Sequence, residues 1–305
     1  MAHDHDHIHV HPQGGSHRPL LLALCLTFGF AFVEAVAGWW SGSLALLGDA
    51  GHMFTDSLSL GLAAGAAMLA RRPPSGRHSY GLGRTEQLAA LVNALLMIGV
   101  VVAIAIEAFA RLRQPPFVDG KAVTVVAFLG LLINLGAAWL LVGHGRNVNV
   151  RAALLHVIGD LLGSVAALVS GIVILATGWR PIDPLLSLLI VVLILGSALR
   201  VLREALHALM EGVPLFLDTG EIGRALAKLE HVASVHDLHV WSLSAERTAL
   251  SAHLVVDDLA AWTEVLREAT QLLRDRFGVE HVTLQPEPVV QRVAIDRIQR
   301  GAGGS

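Results

Sequence analysis

The chain has 305 residues, 54% of them hydrophobic and only 15% charged, a balance that soluble globular proteins rarely show. A formal net charge of −3 offers no basic surface and argues against a nucleic-acid partner. One cysteine, Cys25, excludes both a disulfide framework and a thiolate zinc cluster.

Residues 1–18 are polar, without apolar periodicity, and read as a disordered tail. Within it His3, His5, His7, His9 and His11 alternate, so an extended chain presents them along one edge. They act either as a metal buffer at a pore mouth or as a dispensable extension. No cleavable signal peptide is expected, because the first apolar run is long enough to span and others follow.

Six apolar stretches come next, at 19–40, 44–70, 86–112, 123–142, 151–177 and 183–207. Each is about 20 residues or longer, the length a helix needs to cross a bilayer core. Abundant glycine and alanine suit close helix packing in lipid. An even number of spans puts both termini on one side. Arg71, Arg72, Arg77 and Arg84 follow the second span, Arg146 and Arg151 the fourth, and Arg200 and Arg203 close the sixth. Arg111, Arg113 and Lys121 oppose them, yet the positive-inside rule still favours cytoplasmic termini.

From about Glu211 the apolar runs become short. The periodicity predicts a helix at 220–230, strands at 234–243 and 248–256, a helix at 259–277 and a strand at 280–285. The expected architecture is an all-α membrane bundle of six helices (19–210) followed by a small cytoplasmic α+β domain of α-β-β-α-β type (211–290), with a disordered tail at 291–305. So small a domain gains from dimerisation or bound metal.

The second and fifth spans each carry His-x-x-x-Asp, as His52–Asp56 and His156–Asp160. Residues four apart share a helix face, so each pair is a two-ligand claw. Two claws supply four N/O ligands, which suits tetrahedral Zn²⁺. Ionisable groups at membrane depth are costly and usually functional. Asp49 lies on the same face as His52 and belongs beside the ligands or on the ion path. Glu34, an isolated carboxylate in an apolar helix, is a candidate for the proton or ion path. Bundle-holding hydrogen bonds alone would be served by Asn or Ser.

Several longer motifs carry a resemblance. They are the run from Ser43 to Asp56, the run from Tyr80 to Glu86, the run from Asn149 to His156, Asp183-Pro184, the run from His236 to Trp241, and the run from His281 to Gln285. Over residues 20–288 the chain resembles the cation diffusion facilitator family, in its bacterial-type zinc-transporting branch. The resemblance implies a homodimeric integral protein of a bacterial inner membrane with a metallochaperone-like cytoplasmic domain. It implies export of Zn²⁺, with Cd²⁺ and Co²⁺ as further cargo, in exchange for protons by alternating access. It carries His236, His253, His281 and Glu287 onto a cytoplasmic metal site that holds structural zinc and stabilises the dimer, with His239 and His231 as extra ligands. His78 is what remains of a loop site found in some relatives, so that site is expected to be absent or weak. The resemblance also suggests an ion pair between Arg84 and Glu211. The chain is not expected to be an enzyme: it has no His-Glu-x-x-His, and four protein ligands leave no open metal position.

Overall fold

Long apolar runs without interior proline dictate helices, because in lipid every backbone polar group must be satisfied within the segment. In the computed structural model, which describes residues 18–142, 148–244 and 247–289, six such helices form. They are α1 (Arg18–Ser41), α2 (Leu44–Ala70), α3 (Thr85–Arg113), α4 (Gly120–Val142), α5 (Val148–Thr177) and α6 (Ile182–Leu209). Five are long and apolar enough to cross a membrane over their described residues, and α1 adds a shorter apolar stretch, Cys25–Ser41. The residues fall into two compact units, one holding 18–66 and 89–203, the other 67–88 and 204–289. The second thus takes in the loop between α2 and α3, which the sequence places with the spans.

In the first unit α2 and α5 are flanked on both sides. Ala45 and Leu46 of α2 and Ala167 and Ile174 of α5 share an apolar core with Val123 and Ala127 of α4 and Ala37 of α1. On the other side Ala166 of α5 meets Met97 and Val101 of α3 and Ile190 and Ile194 of α6. One buried carboxylate knots this unit together at the start of α2. Asp183 accepts from the Ser43 hydroxyl at 2.6 Å, the Leu44 amide at 2.6 Å and the Ser170 hydroxyl at 3.0 Å. Ser43 in turn caps α2, its Oγ accepting from the Leu46 amide at 3.3 Å. The Asp183-Pro184 motif is therefore a tie between α2, α5 and α6.

The second unit holds α7 (Thr219–Leu226), β1 (Val232–Ser242), β2 (Thr248–Val256), α8 (Trp262–Phe277) and β3 (His281–Pro288). The sheet runs β1-β2-β3, antiparallel between the first two strands and parallel between the last two. Leu250, Leu254 and Val256 of the central strand pack against Ile222 and Leu226 of α7 and Val265, Ala269 and Leu273 of α8. Three boundaries differ from the periodicity. Helix α7 stops at Leu226. The run 259–277 opens with a 3₁₀ turn, Leu259–Ala261, capped by Asp258, before α8 begins at Trp262. Strand β3 continues through Pro286 to Pro288, because the edge strand needs no amide donor there.

Candidate metal centres

On α2, His52 and Asp56 stack one turn apart, with His52 Nδ1 3.3 Å from Asp56 Oδ2. Its other ring nitrogen, Nε2, lies 3.9 Å from Oδ1 of Asp160 on α5. The three residues offer one nitrogen and two oxygens within 4.8 Å of one another. His156 occupies α5 one turn before Asp160, and its side chain falls outside the described residues. A cavity of about 310 Å³ reaches this cluster, lined by His52, Asp56, Asn93, Met97, Gly159 and Ser197. It approaches from the α3 and α6 side.

Behind the cluster, on the α1 and α4 side, buried polar groups continue. Asp49 is buried and accepts a hydrogen bond from the Ser164 hydroxyl at 3.4 Å. Ser164 itself accepts from Nδ2 of Asn134 on α4 at 3.1 Å. Glu34 of α1 is 1% exposed. A Cβ on Gly130 would stand 2.8 Å from Glu34 Oε1 and 3.4 Å from Ser164 Oγ, so glycine makes room for both. Gly163 does the same for the Asp49 carboxylate.

The second unit carries its own cluster. Pairing of β1 with β2 sets His236 opposite His253, their rings 5.2 Å apart at 70°. Glu287 accepts from both, at 2.9 Å from His236 Nε2 and 2.8 Å from His253 Nδ1. Their two nitrogens and one oxygen lie within 4.8 Å of one another, a donor set that fits zinc. The His236 hydrogen bond, followed by that of His253, holds the Glu287 carboxyl below its usual range.

His281 does not join them. The parallel register sets it opposite Ala249, and Gln285 faces His253 instead. The expected four-residue set is corrected to three, with the His281 ring packed edge-on to Tyr80 at 5.6 Å. Sequence reasoning missed Asp237, which stands at a break in the β1–β2 register with φ of 51°. Its Oδ2 comes 3.7 Å from His253 Nε2, and its Oδ1 accepts from His239 at 2.9 Å. That second contact holds the Asp237 carboxyl low. The bulge turns towards the histidines a side chain that strict alternation sends away. The only sequence signal was its place between His236 and His239.

His231 bonds Asp257 at 2.9 Å, and this contact raises its pKa. Arg84 Nη2 donates to Glu211 Oε1 at 2.9 Å, both within the second unit. His78 is exposed in a small turn, its backbone bridging to Ser75. His3, His5, His7, His9 and His11 lie outside the described residues.

Comparison with known proteins adds to this geometry. Residues 20–210 match the cation efflux transmembrane domain, and residues 216–289 match the cation efflux protein cytoplasmic domain. The zinc transporter ZitB of Escherichia coli strain K12 is 43% identical over 280 residues, covering 90% of this chain and 89% of the relative. The metal cation efflux system protein CzcD of Cupriavidus metallidurans is 42% identical over 277 residues, covering 90% and 87%. A cadmium, cobalt and zinc/H⁺-K⁺ antiporter of Bacillus subtilis strain 168 is 38% identical over 281 residues, covering 90% of each chain.

Proposed function

Because this chain belongs to the cation efflux family of membrane transporters, we propose that it exports Zn²⁺ from the cytoplasm in exchange for protons. It is a transporter and not an enzyme. The observation that carries the proposal is the convergence of His52, Asp56 and Asp160 from two helices on one point, with His156 a turn away on α5. Those four residues are the proposed transport ligands, with Asp49 beside them and Glu34 on the proton path. Imidazole nitrogen with carboxylate oxygen suits zinc and admits Cd²⁺ and Co²⁺ as further cargo. The name of the ZitB relative supports zinc, and that of the B. subtilis relative supports proton coupling.

Coupling follows from the ligand chemistry. Metal binding needs neutral imidazoles and ionised carboxylates, so protons compete with it. Histidine titrates near physiological pH, so protons entering from the far side displace the ion. Ligands on two helices make the site sensitive to the relative motion of α2 and α5, the basis of alternating access.

In the cytoplasmic domain His236, His253 and Glu287 hold structural zinc, with Asp237 in reach, and the domain pairs two copies of the chain. Both termini face the cytoplasm of a bacterial inner membrane. The test is zinc flux into proteoliposomes under an imposed pH gradient. Asp56→Ala or His156→Ala should abolish zinc-dependent proton flux and leave the dimer intact. Normal flux in both variants overturns the assignment.

A further inference from the structure

We propose that proton and metal use different sides of the ligand cluster: the metal passes through the cavity beside α3 and α6, and the proton through a close-packed polar seam between α1 and α4, carried by Glu34. The inference rests on the transport reading above and assigns the second half of the exchange its own route.

The two sides differ in kind. The cavity is an open space of about 310 Å³ with His52 and Asp56 in its wall. The seam is filled: Glu34, Asp49, Asn134 and Ser164 are all at most 1% exposed. At Gly130 and Gly163 even one added methyl would press on the Glu34 or Asp49 carboxylate. No metal ion passes through such packing. A proton needs no space, only a file of donors and acceptors, and Asn134, Ser164 and Asp49 already form one.

Glu34 adjoins that file, its Oε1 and the Ser164 Oγ both bordering the space that Gly130 leaves open. Its Oε2, like Asn134 Oδ1, is buried and has no hydrogen-bond partner among the described residues. A residue placed there only to hold helices together would have both oxygens bonded, and Gln would do it without a charge. The charged groups facing it are the carboxylates of Asp49 on α2 and Asp160 on α5. A carboxyl group can hold and release a proton, which the amide of Gln cannot. In the transfer, Glu34 closes on Ser164, and the O–H bond on Glu34 breaks as one forms on the Ser164 oxygen. Ser164 releases its own proton to Asp49, so one O–H bond forms for each one broken.

Three measurements on the full-length protein test this: equilibrium zinc binding in detergent, zinc–zinc exchange across liposomes at equal pH, and zinc-driven proton flux read by an internal pH dye. Glu34→Gln should bind zinc and exchange it as the unaltered protein does, yet lose about a hundredfold in proton flux. Ser164→Ala should shift flux the same way by less, and it carries the test if Glu34→Gln does not assemble. Undiminished proton flux overturns the proposal. So does a parallel loss of binding, exchange and flux, which would make the seam structural. If the unaltered protein moves no zinc, the transport reading falls and this proposal with it.

Discussion

Two clusters in this chain share donor chemistry and differ in surroundings. In the bundle, Asp160 is buried and His52 approaches it and Asp56 at 3.9 and 3.3 Å. In the cytoplasmic domain His236 is exposed, and Glu287 holds both imidazoles at 2.9 and 2.8 Å. Charges in the first interact through a low dielectric and respond strongly to small displacements, whereas water screens the second. A cluster already closed on itself by hydrogen bonds suits a fixed, structural ion. One that joins two separate helices suits an ion that must be released.

The sharpest way to break this contrast is to damage each cluster equally. Asp160→Ala should lower zinc flux by about a hundredfold or more, while Glu287→Ala should cost transport less than about tenfold and weaken the dimer instead. Equal losses, measured in the same liposome assay, would erase the division of labour. Next comes the frame of the buried cluster. Asp183→Ala strands two hydroxyls and an amide that now share one carboxylate, and should destabilise the bundle by about 3 kcal/mol or more. Thermal unfolding in detergent reads this, and zinc bound to the cytoplasmic domain should not change.

A milder probe is acid. The Glu287 carboxyl is held low, so its contribution to folding is complete above its ordinary value of 4.5 and fades only as pH falls through the lowered one. Zinc should leave before the fold is lost, because protons compete directly with the metal for its ligands. Metal release that coincides with loss of the domain's circular dichroism would contradict this order. The smallest effect is expected at His231, whose raised pKa makes its bond to Asp257 stabilising below about 6.5 and lost as pH rises through the raised value. Asp257→Asn should lower the His231 titration, followed by NMR, and leave transport unchanged.

The fold was legible where it rests on local pattern. The apolar runs at 44–70 and 151–177 needed only length, and the observed helices match them to within about three residues. The pair His52 and Asp56 was legible for the same reason, since helical spacing alone puts them together. Placing Asp160 beside them required two helices to face each other, and Asp160 Oδ1 lies 3.9 Å from His52 Nε2. The cytoplasmic cluster depended on strand register, which no local pattern encodes. His281 opens β3, yet the parallel pairing carries the far end of that strand, Glu287, to His236 and His253. Asp237 depended on a bulge, a feature of backbone geometry that is invisible in its neighbours' polarity. Asp183 stood in the sequence only as part of the Asp183-Pro184 motif, and only packing showed three donors converging on it.

That knot gives α2 a fulcrum. Its first amide is held by Asp183, and His52 lies eight residues along, a lever arm of about 12 Å, with Asp56 at about 18 Å. A tilt of about 5° around the held end displaces the His52 backbone by about 1 Å and the Asp56 backbone by about 1.6 Å. Metal–ligand bonds tolerate only about 0.2 Å of error. A rocking of α2 too small to disturb its packing is therefore enough to take apart a coordination sphere, and the held end decides that Asp56 lets go first.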